Sequence, residues 1–150
     1  MTQLVRFKNL NGDIAVGQLD DKGFISIVHD PFWDKIELTG ESVAMSSVKL
    51  LPPCQPSNII CVGLNYRSHL GGRPIPDPPL FFYKPLSSIA GDGDLIVLPK
   101  DAGRVDPEGE IVVVIGKPLS HPTLDEAEEA IFGFTAGNDV SAREWQNGDG

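Results

Sequence analysis

The chain has 150 residues, 41% of them hydrophobic, and a formal net charge of −9. That length holds one core, or a small module joined to part of a larger domain. The acidic balance argues against a nucleic-acid binder, whose footprint is basic, and disfavours attachment to an anionic membrane surface.

Cys54 and Cys61 fit neither a disulfide framework nor a zinc site, and read as reduced thiols of a cytosolic protein. The opening "MTQLVRFKNLNGD" has no apolar h-region, and no segment reaches the length of a membrane span. We therefore expect a cytoplasmic protein with neither nucleic acid nor membrane as partner.

In chain order, "LVRFKNL" and "DIAVGQL" flank Asn11-Gly12, a two-residue hairpin signal because both residues tolerate positive φ. "FISIVHD" follows a second turn at Asp21-Lys22-Gly23. This predicts a small β module over residues 1–51. Pro52, Pro53 and Pro56 then stiffen the chain and remove backbone donors, so residues 52–57 read as a linker. From residue 58 the texture changes. "NIICVGLNY" starts as a buried strand, "HLGGRPIPDPP" is a loop, and "LFFYK" and "LIVLP" are further strands. The run Ile111 to Ile115 is β-branched at every position and predicts a strand buried on both faces. Thr123 and Glu126 form a capping box ahead of a helix over Ala127 to Ile131, ended by Gly133. "FTAGNDVSAREWQ" predicts a strand, a turn at Asn138-Asp139 and the start of a helix. Because that last element opens with nothing to follow it, we expect residues 58–150 to be the N-terminal part of a longer domain.

Several side chains could do chemistry, and each has a plainer alternative. Glu108 and Glu110 stand two apart at the mouth of the apolar strand and so project to one side. They are either solvated acids on a strand edge or a pair of hard oxygen donors for Mg2+, Mn2+ or Ca2+. Asp139 could complete three carboxylates, or simply shape a turn. His69 follows a strand end and is a candidate general base, or a surface histidine. Lys84 ends "LFFYK" and could hold an anion, or snorkel to solvent. Gly91 to Asp94, "GDGD", reads as a turn, since it lacks the remaining ligands of a calcium loop.

Taken together and in order, "ICVGLNYRSH", "LFFYKP", "VDPEGEIVVVIGK" and "IFGFTAGNDVSAREWQ" resemble the fumarylacetoacetate hydrolase family. The likeness runs from Ile59 to Gln146. The first fifty residues resemble the small N-terminal extension of a bacterial and archaeal branch often labelled 2-hydroxyhepta-2,4-diene-1,7-dioate isomerase. The resemblance implies a mainly β (α+β) fold: a mixed β-roll, incomplete here, preceded by a small β module. It implies a divalent metal, Mg2+ or Mn2+, held by Glu108, Glu110 and Asp139, with His69 as base or water activator. Lys84 and Arg67 would bind a small anionic 2-oxo acid, and the full-length protein would be a homodimer. It further implies an enzyme acting on 2-oxo or 1,3-dicarbonyl acids through a metal-stabilised enolate, by C–C hydrolysis, isomerisation or decarboxylation. Two features depart from the family pattern. No acid follows His69 before Asp77, where the family lid often carries its partner, and the strands beyond "SAREWQ" are absent. The competing expectation is therefore a non-catalytic truncated fragment that binds metal weakly or only self-associates.

Overall fold

The structure, a computed structural model, describes residues 2–30 and 34–148. Short alternating runs in the first fifty residues build one antiparallel sheet. Its strands are β1 (Gln3–Lys8), β2 (Ile14–Leu19), β3 (Phe24–Val28), β4 (Leu38–Ala44) and β5 (Lys49–Leu51), in the order β4-β3-β2-β1-β5. Phe7 and Ile25, at 1% and 0% exposure, are its fully buried side chains. Gly17 makes room for one of them, because a Cβ there would lie 2.3 Å from Ile25 Cγ2. The β1–β2 connection forms where Asn11-Gly12 predicts it, but as a loop over residues 9–13 rather than a two-residue turn. The Asn9 side-chain oxygen accepts from the amides of Asn11 and Asp13, both at 2.9 Å. That Asx geometry widens the turn, and Gly12 takes φ +95° within it. Strands β4 and β5 were not expected: "LTGESVA" has no apolar run, and β5 is a three-residue strand recruited by its pairing with β1.

The remaining strands form three two-stranded pieces. β6 (Ile59–Gly63) pairs with β7 (Leu80–Lys84), β8 (Val105–Asp106) with β11 (Ser141–Ala142), and β9 (Gly109–Ile115) with β10 (Ile131–Asn138). Two short helices, α1 (Leu124–Glu129) and α2 (Arg143–Gly148), complete the described chain, so the fold is mainly β as the resemblance implies. α1 carries the expected capping box, with Thr123 and Glu126 bonding reciprocally. It ends earlier than expected, at Ala130. Ile131 has already joined β10, and Gly133 lies inside that strand at a shift in register. No described helix is long and apolar enough to cross a membrane.

Two strand expectations need correction. "LIVLP" is not a strand: Leu95 and Val97 are 90% and 85% exposed, and no ladder reaches them among the described residues. β-Propensity alone does not hold a segment extended without a partner. The run Ile111 to Ile115 does form β9, but it is not buried on both faces. Ile111 is 76% exposed, and Val113, Ile115 and the cross-strand Phe134 are exposed with it. Its composition suits a covered strand, yet among the described residues only β10 pairs with it.

Uncovered apolar faces and open strand edges favour association between chains. We expect the 150-residue chain to form dimers or larger species at micromolar concentration and to bind a hydrophobic dye. A monodisperse, dye-silent monomer in sedimentation velocity would contradict this.

Candidate metal centre

The two ends of the β9–β10 ladder differ. One end leads into the connection that holds α1. At the other, Gly137 stands opposite Glu110 and Asn138 opposite Gly109, and the ladder stops. One step beyond, the Asp139 amide donates to the Glu108 carbonyl at 2.8 Å. The Asn138 side-chain oxygen accepts from the Glu108 amide at 3.0 Å. These bonds hold the segment before β9 against the segment after β10. The result is a cluster: Glu108, Glu110 and Asp139 each bring a carboxylate oxygen within 4.8 Å of the others.

Cations flank the cluster on two sides. The register of β6 and β7, with Ile59 opposite Lys84 and Cys61 opposite Phe82, places Lys84 and Cys61 on one sheet face. From there the Lys84 ammonium forms an ion pair with Asp139 Oδ1. The Asp139 side chain is only 8% exposed, and its Oδ1 receives no directed hydrogen bond. On the other side Arg143, the first residue of α2, forms an ion pair with Glu108. Its Nε donates to Asp106 Oδ2 at 2.9 Å and its Nη1 to Gln146 Oε1 at 2.9 Å. Arg104 and Arg143 together hold the Asp106 carboxyl below its usual range by hydrogen bonding. Among the described residues no such donor bonds Glu110. Burial pushes its carboxyl up, and the charges of Asp139 and Glu108 push the same way, with Lys84 opposing. The Cys61 thiol is raised by burial first, then by Asp139 and Glu110, again against Lys84. Cys61 therefore faces the cluster as a neutral thiol.

His69 and Arg67 lie elsewhere. Both sit on the 3-10 turn Arg67–Leu70 that follows β6, and both are exposed. The His69 ring lies 5.7 Å from that of Tyr66. Among the described residues no hydrogen bond or ion pair links either side chain to the three carboxylates. Arg73 closes this turn, its amide and Nε donating to the Leu70 carbonyl at 3.0 and 2.9 Å. Three contributors to the cluster escaped the sequence reading: Arg143, Asn138 and Cys61. The first two stand beside Asp139 in "NDVSAR", and an unpaired arginine four residues after a candidate ligand is the signal that could have found one of them. Cys61 had no local signal, since only the β6–β7 register turns it toward Lys84.

Residues 58–150 match the family described as fumarylacetoacetate (FAA) hydrolase C-terminal, and residues 2–53 match the Rv2993c-like N-terminal family. The chain belongs to the fumarylacetoacetate hydrolase family. Among its fumarylacetoacetate hydrolase relatives, Protein Rv2993c of Mycobacterium tuberculosis is 38% identical over 149 residues, which are 97% of this chain and 55% of the relative. The human mitochondrial oxaloacetate tautomerase FAHD2A is 43% identical over 99 residues, 65% of this chain and 32% of that protein. The crystal structure of 2-hydroxyhepta-2,4-diene-1,7-dioate isomerase from Mycobacterium marinum superposes with a TM-score of 0.86 at 32% identity. That match covers 99% of this chain and 58% of the other. The chain thus spans about half the length, or less, of the curated relatives it matches.

Two measurements check this geometry. Among the described residues the Arg143 side chain bonds Asp106, Glu108 and Gln146 whereas the Arg104 side chain bonds only Asp106, so Arg143→Ala should lower Tm by roughly 2–4 °C and Arg104→Ala by less. Equal shifts would mean that the Arg143 contacts add nothing. Cys61 should alkylate with a pH midpoint above the ~8.5 of an ordinary thiol, and Glu110→Gln should move that midpoint down. A Cys61 midpoint at or below the ordinary value would show that the thiol does not face the carboxylates.

Proposed function

We propose that the protein is a divalent-metal-dependent enzyme of 2-oxo or 1,3-dicarbonyl acids. The observation that carries this reading is the convergence of Glu108, Glu110 and Asp139 beside the Lys84 ammonium. A hard cation fits the residues present. The donors are all carboxylate oxygens, which suit Mg2+ or Mn2+ rather than zinc. The buried Asp139 Oδ1 is met by the Lys84 ammonium, and a carboxylate oxygen so paired keeps a further lone pair for a metal. The Glu110 carboxyl is raised first by burial and then by the charges of Asp139 and Glu108, so a cation among the three would be welcome. When bound, such an ion supplies Lewis-acid stabilisation of the negative charge that develops on a substrate carbonyl oxygen.

The chain's own side chains supply the rest. Lys84 is a cation at the cluster, suited to the carboxylate of a small anionic substrate. Cys61 lines the same sheet face without adding charge. His69 is the proton acceptor of the reading, on a turn braced by Arg73, with Arg67 as a further anion contact two residues before it. Of the three reactions open to such a site, proton transfer next to a carbonyl is the one we favour. The relatives named above are called a tautomerase and an isomerase, and both names describe moving a proton without breaking the carbon skeleton. Hydrolysis would ask His69 to activate water, and no acid follows it before Asp77 to assist. The reading includes a cytoplasmic setting and a homodimer of the longer protein. Its partner is a small 2-oxo acid, with neither nucleic acid nor membrane.

The test is a turnover panel of oxaloacetate tautomerisation, acylpyruvate cleavage and hydroxyhepta-dienedioate isomerisation, each with Mg2+, Mn2+ or EDTA. We expect metal-dependent tautomerisation or isomerisation. Glu110→Ala and Asp139→Asn should each lower it at least about 100-fold, the scale on which a fixed electrostatic stabiliser is lost. Turnover that survives EDTA and both substitutions would sink the proposal.

A further inference from the structure

Glu108, like Asp139, lies outside a ladder, and its peptide is anchored from across the gap. β9 begins at Gly109, and the last cross-strand pair is Asn138 with Gly109. Left alone, the peptide of Glu108 would have neither its donor nor its acceptor satisfied, and its carboxylate would wander with the backbone. Two bonds prevent this. The Glu108 carbonyl accepts from the Asp139 amide at 2.8 Å. The Glu108 amide donates to Asn138 Oδ1 at 3.0 Å. The first is an ordinary backbone bond. In the second, a side chain takes the place that a strand carbonyl would occupy if the ladder ran one step further.

That substitution has a geometric consequence. Because the side chain of Asn138 provides the acceptor, the backbone after Asn138 is free to leave the strand. It does so, entering β11 at Ser141, while Asp139 turns its carboxylate into the cluster. The Ser141 hydroxyl donates to the Asp139 carbonyl at 3.3 Å and steadies the departing chain. Asparagine suits the position for an electrostatic reason as well. Its amide oxygen accepts a hydrogen bond without bringing a fourth negative charge to a cluster that already holds three carboxylates.

We propose that Asn138 is a positioning residue for the metal centre: its side chain fixes the Glu108 peptide across from Asp139, and so sets the spacing of the two carboxylates. The inference rests on the metal reading above. Groups behind the ligands commonly control affinity by about 10- to 100-fold, and a partly solvated bond such as this belongs at the lower end of that range.

The experiment uses the 150-residue chain and four variants, with two readouts: hydrogen exchange at the Glu108 amide, and Mn2+ affinity by calorimetry. Asn138→Ala should speed exchange at Glu108 and weaken Mn2+ binding about tenfold. Asn138→Asp restores the acceptor, so it should restore Glu108 protection and bind Mn2+ at least as tightly as the wild type. Thr123→Ala removes the capping box of α1 at the far end of the β9–β10 ladder, so it should lower Tm while leaving Mn2+ affinity unchanged. If Asn138→Ala does not fold, Asn138→Gln, which displaces the same amide by one methylene, should show the same losses. Wild-type binding of Mn2+ that neither Asn138→Ala nor Asn138→Gln weakens would overturn the inference alone. So would an equal loss in Thr123→Ala. A wild-type chain that takes up no Mn2+ would overturn the metal reading and this inference with it.

Discussion

Three carboxylates held within 4.8 Å of one another set the terms for the second half of this chain. Unit charges at such a spacing repel by about 1 to 3 kcal/mol per pair as the surroundings pass from water-like to protein-surface polarity. A cluster of this kind stays together only if the backbone forces it or positive charge relieves it. Here both operate. A backbone bond from the Asp139 amide to the Glu108 carbonyl and a bond from the Glu108 amide to Asn138 Oδ1 hold the two segments together just past the end of the ladder. Lys84 and Arg143 then supply positive charge, one on Asp139 and one on Glu108. Glu110, raised by burial and by the charges of Asp139 and Glu108 against the pull of Lys84, keeps its proton more readily than an ordinary glutamate.

Each compensating cation comes from a different part of the chain, and this gives the short strands their purpose. β6 and β7 make a two-stranded ribbon whose register determines that Lys84 and Cys61 share a face. β8 and β11 pair over only two residues, but that pairing joins Val105-Asp106 to Ser141-Ala142 and delivers Arg143 to both Asp106 and Glu108. The first sheet supplies rigidity of another kind. Phe7 and Ile25, its fully buried side chains, belong to a sheet complete in its own pairing. Around the carboxylates, polar and ionic contacts do most of the joining. A site assembled in that way responds to pH and to bound cations more than an apolar core would.

The turn carrying His69 follows a different rule. It is a 3-10 segment that continues from β6, with Leu70 buried as its anchor and Arg73 bonded back to the Leu70 carbonyl. The His69 and Arg67 side chains are exposed, and the His69 ring has Tyr66 beside it at 5.7 Å. Residues that meet a substrate and release it need such freedom, whereas residues that hold an ion need the opposite. The described chain separates the two kinds: candidate ligands at the end of a ladder, the candidate base on a braced but exposed turn.

Much of this was legible in the sequence. Glu108 and Glu110, two apart before an apolar run, were expected to project to one side by period-two geometry, and they do converge although Glu108 lies one residue before β9. Thr123 and Glu126 announced the start of α1, because a capping box is a local bond between neighbours. "LFFYK" and "IICVG" declared themselves as strands by composition. What composition could not supply was partnership. "LIVLP" has the residues of a strand and finds no ladder, while "LTGESVA" lacks them and forms β4 because β3 lies beside it. The same holds at the site. Asp139 joins the glutamates across the ladder, Lys84 reaches it from another ribbon, and Arg143 and Asn138 act on a residue thirty or more positions away. Local signals record bonds between near neighbours and faces of a single strand. Which strands pair, and therefore which charges meet, depends on contacts between distant segments, and only the tertiary structure decides those.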